Sequence, residues 1–460
     1  MKIKEDSIID IFESQREFFL TDSTRGLDFR IRNLKALKEE IINNEKAIQE
    51  ALFKDLHKSE EEAYLTEIGI IISEINQNIK KLRGWAKPRN VWSSLACFPS
   101  SAKIVSEPYG VVLVISPWNY PFQLALSPLI GAIAAGNTAI IKPAEYSPNT
   151  SNIIKTITDK VFKPNYIKTI IGGKEENQIL LDLPFDYIFF TGSPVLGKVV
   201  MEKASKHLTP VTLELGGKSP CIVDQTSDIK LSAKRIAFGK FLNSGQTCIA
   251  PDHIFIHKSI KDEFVSEFVI AIKAFYSDNQ ESSKDFGRII NELHFNRLSA
   301  LLKDGDIIYG GKTNKETRYI SPTLIENIKL DSDLLNSEIF GPILPIITFE
   351  NINQIIESIR RKPKPLALYV FSSSKLTQNK IISKISSGGV CVNDTIMHIV
   401  PEDLPFGGVG NSGMGSYHGK KSFETFSHQK SVLFRGTFLD VALRYPPFTK
   451  KKLSLIKKLI

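Results

Sequence analysis

Residues 109–141 contain no Asp, Glu, Lys or Arg. So long an uncharged stretch has to be buried, either in a bilayer or inside the fold. A membrane-spanning helix needs about 20 consecutive apolar residues. Here Pro117, Pro121, Pro128 and Gly136, with Asn119 and Asn137, interrupt the run. The pattern predicts a strand (GVVLVI), a loop (SPWNYP), a buried helix over about residues 123–135, a turn at Gly136-Asn137 and a second strand (TAIIK). Short, wholly apolar strands joined by a helix mark a parallel sheet covered on both faces.

The rest of the chain extends that rhythm. Residues 1–86 carry apolar residues at helical spacing, and residues 87–106 shift to Pro, Ser and isolated apolars, as in a loop or arm. Strand-like and helical segments alternate over 107–213 and again over 214–404. Residues 405–419 (PFGGVGNSGMGSYHG) form a glycine-rich loop that lets backbone approach a neighbour closely. The expected fold class is α/β, with two doubly wound lobes and a site between them at the carboxyl ends of strands. In 460 residues, 42% hydrophobic and 24% charged composition excludes disorder, collagen and coiled coil as the main class. Four Cys make no disulfide scaffold and fit a reducing compartment. No C-x-x-C or His/Cys cluster suggests a metal. Glu5, Asp6 and Asp10 in an N-terminus without an apolar core argue against a secretory signal.

The net charge of +9 is largely a property of the tail. Lys450, Lys451, Lys452, Lys457 and Lys458 lie within the last eleven residues, and without them the chain is near +4. Nucleic-acid binding is therefore not expected. At helical spacing Leu453, Leu455, Ile456, Leu459 and Ile460 share one face, with Lys452 intruding. The tail (446–460) reads as a short amphipathic helix docked on the body or a partner subunit. Weak contact with an anionic membrane surface is the alternative.

Several residues are of types that carry chemistry. Cys248, in NSGQTC, follows a polar stretch suited to an exposed turn, where a thiolate of lowered pKa would be nucleophilic. Cys97, Cys221 and Cys391 sit in or beside apolar runs and read as small buried hydrophobes. Glu214, between two leucines in LELGGK, is either an ion-paired carboxylate or a water-activating base. Asn119, in SPWNYP, is either a turn residue or a donor to an oxyanion. In residues 190–197 (FTGSPVLG), Ser193 and Pro194 suit the start of a helix able to take a pyrophosphate, though G-x-G-x-x-G is absent. Lys142 and Glu145 follow a strand, and Glu338 and Phe340 precede a turn; each has an ordinary loop reading. The histidines share no motif spacing and read as surface or satisfied core.

Each signal is weak alone; together and in order they are specific. PWNYP, IIKPAEYSP, FTGS, LELGGKSP, NSGQTC, EIFGPILP and PFGGVGNSGMG resemble the NAD(P)-dependent aldehyde dehydrogenase superfamily over about residues 7–445, most of all its class 3 branch of fatty and aromatic aldehyde dehydrogenases. The resemblance implies Cys248 as nucleophile, Glu214 as general base and Asn119 as oxyanion donor with the Cys248 N–H. It implies cofactor contacts from Trp118, Lys142, Glu145, Gly192, Ser193, Gly197, Glu338 and Phe340. Glu145 favours NAD, with NADP possible. His253 departs from the tyrosine of class 3 relatives. The implied layout is a cofactor-binding domain (1–86, 107–213 and about 405–425), a catalytic domain (214–404) and a small β oligomerisation arm (87–106 and 426–445), in a cytoplasmic homodimer. The implied reaction oxidises an aldehyde to an acid through a cysteine thiohemiacetal and thioester. A cysteine esterase or acyl-transferase on the same fold is the alternative. A structural protein and a CoA-acylating enzyme fit less well, given the intact catalytic set and Glu214.

Overall fold

The computed structural model describes residues 5–94, 97–329, 331–440 and 442–459. Residues 1–4, 95, 96 and 441, which the sequence reading placed in the N-terminal helical block and the arm, lie outside the described residues. So do Ile460 and the Leu459 side chain of the tail's apolar face.

The uncharged stretch folds as its pattern predicts. Strand Val111–Ile115 is wholly buried, helix Pro121–Ala135 is buried along its whole length, and strand Thr138–Lys142 follows, also buried. Pro121 opens the helix, and Gly136 closes it at φ 98°, a left-handed conformation that glycine adopts without strain.

These strands belong to a six-stranded sheet ordered Gly413–Met414, Val211–Leu215, Tyr187–Gly192, Val111–Ile115, Thr138–Lys142, Ile167–Thr169. All neighbours are parallel except the first pair. The chain starts at the centre, winds outward through 138 and 167, then returns to the other side at 187. The order therefore reverses between Val111–Ile115 and Tyr187–Gly192, and a crevice opens there at the strands' carboxyl ends. Alternation along the strands builds two cores. Val112 and Val114 pack with helices Leu27–Asn43, Gly69–Trp85 and Pro121–Ala135, while Val111, Leu113 and Ile115 pack with helices Glu5–Leu20, Lys174–Asp182 and Pro194–Ser205.

A second sheet has seven strands, ordered Asp306–Tyr309, Thr323–Glu326, Ile343–Phe349, His253–His257, Pro220–Val223, Ala367–Phe371, Gly389–Val392. Only its first pair is antiparallel. A third, antiparallel sheet joins Arg89–Val91, Ser100–Pro108 and Ser427–Arg435. The segment at 87–106 thus contains strands, of the two expected forms the β arm rather than the loop.

Two departures matter. The glycine-rich loop contributes the edge strand Gly413–Met414, which sets Gly413 opposite Glu214. The neighbour approached by this backbone is the strand that carries Glu214. The tail is helical over Lys450–Leu459, but Leu453 and Leu455 are about half exposed, so docking onto the body is not what the described residues show. Lys452, the intruder on the apolar face, turns back to donate to the carbonyls of Ala442 (3.2 Å) and Tyr445 (3.0 Å).

Candidate active site

Cys248 follows a turn that proteins rarely build. Asn243, Ser244 and Gly245 all have left-handed backbone, at φ 51°, 52° and 74°. The two non-glycine residues cost roughly 1–2 kcal/mol each, so the turn needs external support. The Asn243 side chain donates to the carbonyls of Asn119 (2.7 Å) and Gln246 (3.2 Å), and the Asn243 N–H donates to Glu62 (2.9 Å). The Gln246 side chain donates to the carbonyls of Asn243 (3.1 Å) and Arg288 (2.9 Å) and accepts from the Ile290 N–H (3.0 Å). In NSGQTC, then, Asn and Gln are the struts of the turn that presents the cysteine.

Asn119 comes from the loop after strand Val111–Ile115 and is buried. Its Nδ2 donates to the Gln246 carbonyl at 3.0 Å, which fixes one amide N–H and leaves the other free beside the Cys248 turn. Tyr120 shares a 2.6 Å hydrogen bond with Thr247, the residue before Cys248.

Glu214 is buried, and neither carboxyl oxygen has a hydrogen-bond partner among the described residues. Burial holds its carboxyl well above the usual range. Cys248 is half-buried, and burial, then the charges of Glu338 and Glu214, push its thiol up to about 12. Both groups rest neutral, and they sit close enough to act on each other electrostatically.

Glu338 enters from the second lobe. A Cβ on Gly216 would overlap its carboxylate, and the Gly217 N–H donates to it. Burial, then Asp252, raises it to about 8. Its loop is clamped: Asp252 accepts from the Ile339 N–H (2.9 Å), Arg297 donates to the Ile339 carbonyl (2.7 Å), and Lys218 bridges Asp252 and the carbonyls of Leu334 and Ser337. Phe340, at φ 51°, meets Trp118 edge-on at 5.3 Å. His253, the residue departing from the class 3 pattern, is buried beside Asp252, and burial lowers it to about 4.

The remaining predicted residues lie at the carboxyl ends of the first sheet. Lys142 is buried and donates to the carbonyls of Pro143 (2.9 Å) and Gly172 (2.7 Å); burial lowers it to about 8 against the attraction of Glu145 and Glu176. Glu145 is exposed beside Gly173. Ser193 caps helix Pro194–Ser205, and a Cβ on Gly197 would strike Leu215, so the helix packs close to the sheet. Val195, Leu196 and Val199 give that helix an exposed apolar flank. Ser116 Oγ, just past strand Val111–Ile115, and Thr191 Oγ1 and the Glu214 carboxyl on the next two strands are buried without partners among the described residues. Unpaired buried polar groups at the strands' carboxyl ends, near the N-terminus of helix Pro194–Ser205, fit a nicotinamide dinucleotide.

A cavity of about 500 Å³ reaches Cys248. Apolar side chains dominate its walls, among them Leu65, Ile70, Leu124, Ile249, Met397 and Ile399. A π-type turn at Tyr64–Ile68 brings Tyr64 and Leu65 to its mouth. Sequence reasoning missed this wall, and it treated every histidine as inert. His418 lines the cavity and stacks on Phe406 at 5.3 Å. Both ring nitrogens of His398 lack partners among the described residues. Burial lowers both histidines to about 4, so they are neutral near pH 7. Cys221 is buried as expected, but Cys97 and Cys391 are half-buried.

The fold is that of an oxidoreductase, and comparison with known proteins gives the family. The model of the aldehyde dehydrogenase family matches residues 3–432. The chain belongs to that family. It is 49% identical over 448 residues to a Staphylococcus aureus 4,4'-diaponeurosporen-aldehyde dehydrogenase, with 97% of each chain covered. It is 46% identical over 446 residues to a dimeric, NADP-preferring aldehyde dehydrogenase of Canis lupus familiaris, covering 96% of this chain and 98% of that one. A solved Staphylococcus aureus AldH structure in its substrate-bound state superposes with TM-score 0.96 at 48% identity, covering 100% of this chain and 99% of that one. The protein is an NAD(P)-dependent aldehyde dehydrogenase of the class 3 type.

Proposed function

We propose that this enzyme oxidises apolar aldehydes, of medium or long chain or aromatic, with Cys248 as nucleophile, Asn119 as oxyanion donor and Glu214 as base. The observation that carries this reading is the apolar cavity ending at Cys248. The Cys248 thiol gives up its proton to solvent as sulfur bonds to the aldehyde carbon. The oxyanion is received by the free N–H of Asn119 Nδ2 and the Cys248 N–H. The nicotinamide, when bound, supplies the hydride acceptor. Loss of hydride from the carbon leaves a thioester on Cys248. Glu214 then takes a proton from the water that attacks the thioester, and the acid leaves as sulfur regains its proton. Lys142 and Glu145 hold the adenosine ribose, Gly192, Ser193 and Gly197 the pyrophosphate region, and Trp118, Glu338 and Phe340 the nicotinamide end.

The same reading assigns the six-stranded lobe to cofactor binding, the seven-stranded lobe to catalysis, and the three-stranded sheet to a homodimer in the cytoplasm. Exposed Leu433 and Phe434 on that sheet and the dimeric character of the Canis relative support the dimer. The exposed leucines and the lysines of the tail helix support weak contact with an anionic membrane surface. Light scattering tests the dimer, and liposome flotation of the full chain against residues 1–446 tests the tail.

The test of the central reading follows reduced-nicotinamide absorbance with NAD or NADP on acetaldehyde, hexanal, decanal and benzaldehyde. Turnover favouring the larger apolar aldehydes and lost in Cys248→Ala supports it. Ester hydrolysis without oxidation of any aldehyde would favour the esterase alternative.

A further inference from the structure

We propose that Lys58, paired with Glu67, is a positioning residue for the oxyanion-binding amide of Asn119; this rests on the oxyanion role given to Asn119 above. Neither side chain of the pair is exposed at all. The Lys58 ammonium lies 2.5 Å from Glu67 Oε1, 3.1 Å from the Asn119 carbonyl and 3.9 Å from the centre of the Tyr120 ring. Three N–H groups thus meet an anion, a carbonyl and a π face. Glu67 Oε2 in turn accepts the N–H groups of Phe122 (2.8 Å) and Gln123 (3.2 Å), in the first turn of helix Pro121–Ala135. The segment from Asn119 to Gln123 is therefore held at its carbonyl end by Lys58 and at its N–H end by Glu67.

The same Asn119 carbonyl accepts from Asn243, and the Asn119 side chain donates to Gln246. These two bonds tie the first-lobe loop that carries the donor, whose main chain the Lys58–Glu67 pair holds, to the second-lobe turn that carries Cys248. A buried ion pair is a poor device for stability alone, since apolar residues of similar size commonly serve as well or better. It is a good device for fixing a peptide plane, because an oxyanion hole works only when its donors are aimed in advance. Lys58 and Glu67 lie outside the motifs that carry the family resemblance.

The experiment compares two reactions of Cys248 in the cofactor-free enzyme. Acylation by p-nitrophenyl acetate passes through an oxyanion. Alkylation by iodoacetamide displaces iodide at a saturated carbon and builds none. Asn119→Ala is the reference and should lower acylation on the order of 100-fold while leaving alkylation near wild type. In Lys58→Met acylation should fall about tenfold or more, with alkylation within about twofold, as misaimed rather than deleted donors imply. Lys58→Met/Glu67→Gln removes both charges and keeps the acceptor for Phe122 and Gln123, so it should melt near wild type and still acylate slowly. It decides the matter if the single variant does not fold. Wild-type acylation in the folded variants, or equal loss of both reactions, would overturn the role of Lys58. Normal acylation in Asn119→Ala would instead overturn the oxyanion reading beneath it.

Discussion

Asn119 donates its side-chain amide to the main-chain carbonyl of Gln246, 3.0 Å away and two residues before Cys248. One lobe's loop is thereby locked to the other lobe's turn beside Cys248. Cys248 lines the cavity, and the Glu214 carboxyl, without a hydrogen-bond partner among the described residues, lies near enough for its charge to raise the thiol.

The resting charges imply a pH dependence. Glu214 must lose its proton to serve as base, and burial raises its carboxyl well above the usual range. The base form grows as pH rises, so turnover should increase with pH through neutrality. The pH–rate profile of Glu214→Gln should lack that rising limb. An identical limb in the variant would assign it to another group.

Glu338 gives a second test, read in the free enzyme. Its ionised carboxylate raises the Cys248 thiol, and Glu338 itself sits at about 8. In Glu338→Gln the thiol should ionise at lower pH, and the iodoacetamide profile should move to lower pH. A shift to higher pH would contradict the charge assignment.

The clamp on the Glu338 loop should matter for cofactor more than for aldehyde. Asp252→Asn weakens the contacts to Lys218 and the Ile339 N–H. Losing a charge-assisted hydrogen bond of about 1.5–3 kcal/mol should raise the KM for NAD(P) about tenfold or more, with a smaller change in the KM for hexanal. Steady-state kinetics with each substrate varied measures the ratio.

Glu74 supplies a stability test. Burial raises its carboxyl to about 8, and Ser127 donates to it at 2.6 Å. A folded value above the unfolded one gives stability that is complete below about 4.5 and is lost as pH climbs through about 8. Glu74→Gln should flatten the fall of melting temperature between pH 6 and 9. A slope equal to wild type would mean other groups set it.

Ile70 lines the cavity and tests substrate size. Ile70→Trp fills space that a long chain needs, and each CH₂ left unburied costs about 0.8 kcal/mol. kcat/KM for decanal should fall by about tenfold or more, while acetaldehyde changes little. Equal losses for both would point to damage at Cys248 rather than a narrower channel.

The sheets were legible in the sequence because burial on both faces leaves an unmistakable pattern, as in Val111–Ile115 and Thr138–Lys142. The long-range pairings were not. Gly413 opposite Glu214 comes from a two-residue strand, too short for any periodicity. Lys58 meets the Asn119 carbonyl across 61 positions, and a lysine in a helical region reads as a solvated charge until the fold buries it. His418 was passed over because an isolated histidine has no spacing to read, and only the cavity reveals its place. The motif residues Cys248, Glu214 and Asn119 converge, but the supports that hold them are distributed over the N-terminal helices and the second lobe.

The division of labour between Cys248 and Glu214 is tested most directly by the intact mass of Glu214→Gln after incubation with NAD and decanal. Acylation without deacylation should add one decanoyl group, located on Cys248 by peptide mapping, while the wild-type enzyme returns to its free mass. A Glu214→Gln protein that turns over at the wild-type rate, or carries its acyl group elsewhere, would contradict the assignment.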